Sequence, residues 1–211
     1  MRYQAVIFDL DGVICQTDRY HYLAWKRIAD EIGVYFDEVI NNRLRGISRT
    51  ESLEIILESY DGELSQAEKN YYTDKKNAIY LDLLKEMSPE DLGPEVRDTL
   101  DRIRAKGILE AIGSSSRNAK FILRQVGLEN YFDAVSDGSN ITNSKPDPEV
   151  FLKASEYLGI DPRGCLVVED ARSGLEAALV ANMDCAAIGD GTKYNLANYN
   201  LKRFSDLLLI V

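Results

Sequence analysis

Cysteine is scarce in this chain, which argues against a small secreted or zinc-binding protein. The three cysteines, Cys15, Cys165 and Cys185, are odd in number and far apart in the sequence. Neither a disulfide framework nor a zinc-ligand spacing follows from them. The simplest interpretation is that all three are reduced thiols, and we therefore expect a cytoplasmic protein.

Positive charge is also in short supply. There are 25 lysines and arginines against 35 aspartates and glutamates, so the formal net charge is −10. This balance argues against DNA, RNA or an anionic membrane as the main partner. The N-terminal apolar run is short and ends in acidic residues, which predicts neither a signal peptide nor a membrane span. An anionic ligand would need local lysines, arginines or a bound metal. We expect the protein to be a monomer.

An apolar stretch at residues 3–8 is followed directly by Asp9, Asp11 and Gly12. Adjacent valine and isoleucine, without polar alternation, are typical of a strand buried on both faces of a parallel sheet. Asp9 and Asp11 point the same way if the strand continues, and separate if the backbone turns. Aspartate and glycine also end strands as ordinary turn residues. Two carboxylates this close repel each other unless a cation intervenes, which favours a functional site.

The order of helical and strand-like patterns predicts one α/β core with an insertion. Residues 16–88 are helical in pattern, and a bridge at residues 88–94 follows them. Within this block, either Ser48 or Thr50 is expected to cap one helix. From Glu95 onwards, helices alternate with apolar strands, which indicates a doubly wound parallel sheet of the Rossmann-like kind. We therefore predict a core at residues 1–15 and 89–211 and a helical cap at residues 16–88. Ser205 and Asp206 are candidate caps for a last turn.

Polar residues follow several of the predicted strands. They are Asp9 and Asp11, then Ser114, Ser115 and Ser116, then Glu169 and Asp170; Lys145 lies in a proline-rich loop. Because the carboxyl ends of parallel strands share one edge, these groups are expected to converge. Carboxylates suit Mg2+, whereas hydroxyl, backbone N–H and ammonium groups suit phosphate. Each of these polar groups also has an ordinary structural interpretation, as a cap, a helix start or a solvated loop. Taken together, they indicate phosphoryl transfer through an aspartyl phosphate.

These motifs, Asp9-Leu10-Asp11-Gly12-Val13, Ser114, Lys145-Pro146 and Glu169-Asp170, resemble the haloacid dehalogenase superfamily of phosphatases and phosphomutases. The resemblance implies that Asp9 is the nucleophile and Asp11 the general acid and base. It implies that Mg2+ is held by Asp9, the backbone carbonyl of Asp11 and Asp170, with Glu169 orienting the shell. Ser114 and Lys145 would bind the transferring phosphoryl group.

The inserted helices carry a second set of candidates. His21 and Trp25, the only histidine and tryptophan, share a helix face at a spacing of four residues. On composition alone, the favoured explanations of this helical block are an amphipathic helix and a solvated basic surface. Together with the serine loop, however, the block resembles the β-phosphoglucomutase branch of the superfamily. That resemblance makes His21 and Thr17 catalytic residues beside Asp11, and it makes the following residues substrate-binding: Trp25, Arg45, Gly46, Arg49, Ser52, Lys76, Ser114, Ser115, Ser116, Arg117, Asn118 and Lys145.

Within that resemblance, His21 couples cap closure to Asp11, and Arg49 binds the distal phosphate of the substrate. The chain departs from the branch's pattern at Arg45 and Arg117, which replace lysines, and at Ser115 and Gln16. Arginine keeps the charge of lysine but not its shape.

The expected activity is interconversion of β-glucose 1-phosphate and glucose 6-phosphate, with Mg2+ and β-glucose 1,6-bisphosphate as cofactors. A sugar-phosphate phosphatase and a non-catalytic phosphate or Mg2+ sensor are the alternatives.

Overall fold

The computed structural model describes residues 2–93 and 95–211. Met1, in the predicted core, and Pro94, at the end of the predicted bridge, lie outside the described residues. A parallel sheet of six strands in the order β3-β2-β1-β4-β5-β6 forms the centre of the fold. The strands are β1 Ala5–Phe8, β2 Leu109–Gly113, β3 Ala134–Ser136, β4 Cys165–Glu169, β5 Asp184–Ala187 and β6 Tyr199–Asn200. The predicted doubly wound α/β fold is confirmed.

Both faces of the sheet are covered, as the unbroken apolar strands indicate. In β1, Val6 and Phe8 pack in one hydrophobic cluster, whereas Ala5 and Ile7 pack in the other. All four side chains are fully buried. This division follows from the two-residue period of a strand, because alternate side chains point to opposite faces. The sheet is therefore buried on both faces, and the polar groups of the candidate site lie at the carboxyl ends of its central strands.

Eight helices surround or extend the sheet in the described part of the chain. They are α1 Asp18–Ile32, α2 Glu38–Asn42, α3 Arg49–Ile56, α4 Gln66–Leu84, α5 Val96–Ala105, α6 Ala119–Gln125, α7 Glu149–Leu158 and α8 Arg172–Val180. Helices α1 to α4 lie between β1 and α5, and we call them the cap. The cap has its own hydrophobic cluster, which includes Trp25 and Ile28. The domain boundaries near residues 15 and 88 stay a prediction.

Helix ends in the cap follow local sequence chemistry. Gly33, at φ +82°, ends α1 in the left-handed region that glycine adopts without strain. At the start of α3 the cap is Ser48 rather than Thr50. The Ser48 hydroxyl accepts from the backbone N–H of Glu51 at 3.2 Å, and the Glu51 carboxylate accepts from the backbone N–H of Ser48 at 2.9 Å. This reciprocal capping box fixes the position of Arg49, the first residue of α3.

The C-terminal region differs from the expectation. Asp206 accepts from the backbone N–H groups of Lys202 and Arg203, but the Ser205 hydroxyl donates to Glu95 at 2.6 Å instead of capping the turn. The prediction for Ser205 was therefore wrong, because Ser205 lies inside the 3-10 helix Phe204–Leu209, whose N-cap is Arg203. Strand β6 was not predicted, since two residues carry no usable periodicity.

A search of the described helices finds none that is both long and apolar enough to cross a membrane.

Glu110, in β2, is a charged residue placed inside the fold. Its side chain is fully buried; one carboxylate oxygen accepts from Arg104 Nε at 3.0 Å, and the other has no hydrogen-bond partner among the described residues. Burial raises the pKa of Glu110 to about 7, although the neighbouring Arg104 lowers it. Because the folded-state pKa lies above the usual value of 4.5, the folded state holds the proton more tightly than the unfolded state.

We predict that Glu110→Gln stabilises the protein at pH 8 and changes little at pH 5. The wild type loses stability as pH rises from about 4.5 to about 7, a loss on the order of 2 kcal/mol that the neutral amide avoids. Urea unfolding followed by circular dichroism at both pH values measures the difference. Glu63→Gln, at an exposed position, is the control. Equal destabilisation of Glu110→Gln at both pH values would contradict this account.

Candidate active site

The site lies where the chain reverses its direction across the sheet. The chain runs outward from β1 through β2 to β3 and then returns to the other side of β1 as β4. Phe8 and Val168 are paired in register, so Asp9 and Glu169 directly follow the paired positions of two adjacent strands. Such a switch point at the carboxyl end of a parallel sheet leaves a crevice for ligands.

Three carboxylates meet at this switch point. Asp9, Glu169 and Asp170 are buried, and each offers an oxygen within 4.8 Å of the others. Gly12, at φ +88°, provides the space beside them, because a Cβ atom there would lie 2.2 Å from Asp170 Oδ2. The turn after β1 therefore needs glycine both for its backbone conformation and for its lack of a side chain.

Lys145 supplies the positive charge inside the cluster. Its ammonium group is fully buried and donates to Asp9 Oδ1 at 2.5 Å and to Glu169 Oε1 at 2.6 Å. Burial by itself would lower the pKa of Lys145, but Asp9 and Glu169 outweigh it and raise that pKa. The interpretation of Lys145 as a solvated loop residue is thereby excluded.

One lysine does not balance the carboxylates. Burial, reinforced by the charges of Glu169 and Asp9, raises the pKa of Asp170 to about 9. Burial and then the charge of Asp9 raise the pKa of Asp11 to about 7. The cluster is therefore short of positive charge, and its all-oxygen donor set fits a hard divalent cation such as Mg2+. Asp9, Glu169 and Asp170 are the side chains that could hold it, whereas the predicted use of the Asp11 carbonyl stays a prediction.

Asp11 is connected to the cap through hydrogen-bonding side chains. The Thr17 hydroxyl, fully buried, donates to Asp11 Oδ1, and His21 Nε2 lies 3.8 Å from the same oxygen. On the other side of the imidazole, Lys76 Nζ lies 3.0 Å from His21 Nδ1. Burial, and then the charges of Lys76 and Arg49, lower the pKa of His21 well below its usual value. A neutral His21 that accepts from Lys76 carries its proton on Nε2, facing Asp11.

Lys76 is held by aromatic rings as well as by His21. Its ammonium lies 4.4 Å from the centre of the Tyr80 ring and 5.1 Å from that of Trp25. Burial, and then the charge of Arg49, lower the pKa of Lys76 to about 7. Tyr80 also packs against His21, with ring centres 4.2 Å apart and the rings tilted by 36°. Tyr80 was missed in the sequence, although it lies one helical turn after Lys76 on the same face of α4.

A cavity of about 370 Å³ lies between the cap and these core groups. The cap contributes Trp25, whose ring also belongs to the cap's hydrophobic cluster, and Ser52, whose hydroxyl donates to the Ser48 carbonyl at 2.8 Å. Thr17 and Lys145 do not line the cavity, but Thr17 contacts Asp11 and Lys145 contacts Asp9. The structure brings all the other predicted site residues to the wall: Asp9, Asp11, His21, Trp25, Arg45, Gly46, Arg49, Ser52, Lys76, Ser114, Ser115, Ser116, Arg117, Asn118, Glu169 and Asp170.

The serine loop after β2 is shaped by its own hydroxyl groups. Ser114 Oγ accepts from the backbone N–H of Ser116 at 3.1 Å, and Ser116 Oγ accepts from the backbone N–H of Asn118 at 3.2 Å. Ser115 Oγ accepts from the backbone N–H of Lys145 at 3.4 Å. These hydroxyl groups shape the loop but do not cap α6, whose N-cap residue Asn118 makes no side-chain capping hydrogen bond.

Part of the cavity wall is basic. Arg49 comes from the cap and Arg117 from the core, and Arg117 is anchored by donating from Nε to the Gly138 carbonyl at 3.1 Å. Burial, and then the positive charge of Arg117, lower the pKa of Arg49. Two guanidinium groups that repel each other across a cavity favour an anion between them. Asn118 also lines the cavity and donates to Asn77 of the cap at 2.9 Å.

Arg45 is surrounded by carboxylates. It donates from NH2 to Asp18 and lies 3.1 Å from Asp190 Oδ2 and 3.6 Å from Asp170 Oδ2. The Nε atom of Arg45 is buried without an acceptor among the described residues. The predicted contact of Arg45 with substrate stays a prediction. Asp18 and Asp190 were missed in the sequence. Asp18 has the ordinary pattern of an acidic first helical turn, and Asp190 lies in the region after β5 that shows no motif.

The comparisons with known proteins agree with this architecture. The model of the haloacid dehalogenase-like hydrolases matches residues 3–182. The chain belongs to that family. As a member of this family, the protein is an enzyme with the α/β core of the haloacid dehalogenase family. The resemblance inferred from its motifs is confirmed.

Similar proteins within the haloacid dehalogenase family include mutases and phosphatases. A β-phosphoglucomutase of Bacillus subtilis (strain 168) is 41% identical over 208 residues, which is 98% of this chain and 92% of that protein. A phosphorylated carbohydrates phosphatase of Thermotoga maritima is 35% identical over 185 residues, which is 86% of this chain and 82% of that protein. The crystal structure of a β-phosphoglucomutase from Clostridium difficile matches with a TM-score of 0.91 at 35% identity, covering 97% of this chain and 93% of that one.

We predict that Asp170→Asn weakens Mg2+ binding by at least about tenfold, because it removes one charge from the carboxylate cluster. Isothermal titration calorimetry measures the affinity. In the wild type, affinity should fall as pH is lowered from 9 to 7, since protons compete for Asp170. Asp98→Asn, on the exposed face of α5, is the charge-matched control. Equal affinities for Asp170→Asn and Asp98→Asn would contradict the assignment of the cluster.

Proposed function

We propose that this enzyme is a β-phosphoglucomutase, which interconverts β-glucose 1-phosphate and glucose 6-phosphate through phosphorylated Asp9 and β-glucose 1,6-bisphosphate. The observation that carries the proposal is the charge distribution around one cavity. Asp9 and Asp170 define its acidic end, and Arg49 and Arg117 define its basic end. A bisphosphorylated sugar presents one phosphate to each end, which is what a mutase needs and a simple phosphatase does not.

The first half of the reaction phosphorylates the sugar. The 6-hydroxyl of β-glucose 1-phosphate attacks the phosphorus of phosphorylated Asp9, and its proton passes to Asp11. The bond from phosphorus to the Asp9 oxygen breaks, which leaves a free carboxylate and the 1,6-bisphosphate. A pKa of Asp11 of about 7 suits this group to both accepting and returning a proton near neutral pH.

The second half returns a phosphoryl group to the enzyme. After the bisphosphate has exchanged its ends, Asp9 attacks the phosphorus on C1, and the sugar oxygen leaves with the proton from Asp11. Glucose 6-phosphate and phosphorylated Asp9 result. Lys145 and Ser114 bind the phosphoryl oxygens in both halves, while Arg49 and Asn118 hold the other phosphate. Asp9, Glu169 and Asp170 would hold Mg2+, which would neutralise negative charge on the transferring group.

Water must be kept from phosphorylated Asp9 for the cycle to continue. With the cap in the position described, Asp9 is only 7% exposed, and the contact of His21 with Asp11 joins cap closure to the proton-transferring group. Closure that excludes water and completes a site is a common task of mobile caps. His21 and Lys76 are therefore proposed to align Asp11 and the sugar when the cap closes.

A sugar-phosphate phosphatase is the second candidate, and the similarity to the Thermotoga phosphatase supports it. Such an enzyme uses the same acidic end with water as the acceptor and has no need of the basic end. A non-catalytic sensor is disfavoured, because Asp9, Asp11 and Lys145 are all present and Lys145 pairs with Asp9.

Product analysis separates these functions. The protein is incubated with β-glucose 1-phosphate and Mg2+, with and without catalytic β-glucose 1,6-bisphosphate, while glucose 6-phosphate and free phosphate are measured together. A mutase gives bisphosphate-dependent glucose 6-phosphate with little free phosphate. Free phosphate without glucose 6-phosphate would support the phosphatase, and neither product would support the sensor.

We predict that Arg49→Ala lowers glucose 6-phosphate formation about a hundredfold, because it removes a partly buried charged partner of the distal phosphate. Release of phosphate from a monophosphate ester with no second anionic group should change far less. Steady-state rates on both substrates measure the difference. Arg43→Ala, an exposed cap arginine paired with Glu58, is the matched control.

Equal losses of both activities in Arg49→Ala, or a loss of mutase activity in Arg43→Ala as large as in Arg49→Ala, would contradict the assignment of Arg49 to the distal phosphate.

A further inference from the structure

The loop between α2 and α3 reaches from the cap to the core at Arg45. Asp190, whose carboxylate lies 3.1 Å from the Arg45 guanidinium, belongs to the 3-10 segment Gly189–Tyr194 that follows β5. The same guanidinium also contacts Asp170 at the end of β4 and Asp18 at the start of α1. A single side chain therefore joins the cap loop to the core and to the beginning of the cap.

The backbone of the same loop makes a second contact with the core. The Ser173 hydroxyl, in the first turn of α8, donates to the Arg45 carbonyl at 3.3 Å. Gly46 permits this approach, since a Cβ atom at that position would lie 2.3 Å from Ser173 Oγ. The backbone of the loop is therefore in direct contact with a side chain of the core.

Asp190 and Ser173 differ from the substrate-facing residues in their position. Neither lines the cavity, so neither is in a position to touch the sugar or the phosphate. Lys193 Nζ donates to the Asp190 carboxylate from one turn away, which orients that carboxylate towards the loop. Arg45 is 24% exposed and Asp190 41% exposed, so their contact lies at the rim of the cap-core boundary. The two residues act on the cavity through Arg45.

We propose that Asp190 and Ser173 are positioning residues that hold the cap loop closed through Arg45 and thereby set how phosphorylated Asp9 divides between sugar and water. The proposal rests on the proposed function. In transfer, a sugar oxygen bonds to phosphorus, the bond to Asp9 breaks, and the hydroxyl proton passes to Asp11. In hydrolysis a water oxygen takes the place of the sugar oxygen, and inorganic phosphate leaves. A loosened loop admits water, so it favours hydrolysis without changing the reacting groups.

The test measures free phosphate formed per glucose 6-phosphate for the wild type, Asp190→Asn and Ser173→Ala. The lifetime of phosphorylated Asp9 without a sugar acceptor is measured in parallel. Asp82→Asn is the matched control, because Asp82 also pairs with a lysine three residues later but makes no contact with the loop. Asp190→Glu keeps the charge and tests whether the charge alone restores the loop contact.

We expect Asp190→Asn to raise the ratio of free phosphate to glucose 6-phosphate about tenfold, which corresponds to about 1.4 kcal/mol. Ser173→Ala should change the ratio in the same direction by less, while Asp190→Glu should restore most of the wild-type ratio. The unfolding midpoints of all the variants should stay close to that of the wild type. The phosphoenzyme of Asp190→Asn should also be shorter-lived.

The proposal is overturned if Asp190→Asn and Asp82→Asn give the same ratio, or if Asp190→Asn lowers transfer and hydrolysis in equal proportion. Failure of the proposed function gives a different result, namely a wild type that makes no glucose 6-phosphate. In that case phosphorylated Asp9 is prepared with acetyl phosphate, and its lifetime in Asp190→Asn and Asp82→Asn decides the role of the loop contact.

Discussion

The crowding of carboxylates at the switch point between β1 and β4 is the constraint from which the rest of the site follows. Asp9, Glu169 and Asp170 are forced together because the strands that carry them are neighbours in register. Like charges in a buried place are unfavourable unless cations are added. Lys145 provides one cation, and the raised pKa of Asp170 indicates that the cluster is still short of positive charge. A divalent cation such as Mg2+ would supply the missing positive charge.

The opposite end of the cavity has the complementary imbalance. Arg49 and Arg117 approach each other from the cap and the core, and this arrangement lowers the pKa of Arg49. A cavity with one part that needs a cation and another that needs an anion favours a ligand with separated charges. The relatives include both a mutase and a phosphatase. We propose that the cap residues His21, Lys76 and Arg49 decide between these two activities.

Much of this could be predicted from the sequence, because the relevant signals are local or repeat with a short period. Buried strands, alternating helices and the polar residues at strand ends predicted the α/β fold and the convergence of Asp9 with Asp170. The capping box at Ser48 is also readable, since both partners lie within four residues. The contact of Arg45 with Asp190 spans 145 residues, and no local pattern indicates it. The two-residue strand β6 and the engagement of Ser205 by Glu95 depend likewise on tertiary packing, which a single sequence does not display. The roles of the individual site residues stay predictions.

The central claim is that a phosphoryl group passes through Asp9 from one sugar phosphate to another. The most direct measurement uses radiolabelled β-glucose 1,6-bisphosphate in a rapid-quench experiment, followed by a chase with unlabelled β-glucose 1-phosphate. The account predicts label on the peptide that contains Asp9 within the first turnover, then label in the phosphate of glucose 6-phosphate, and no labelled protein in Asp9→Asn. Label that leaves Asp9 as inorganic phosphate despite the chase, or that never reaches Asp9, would contradict it.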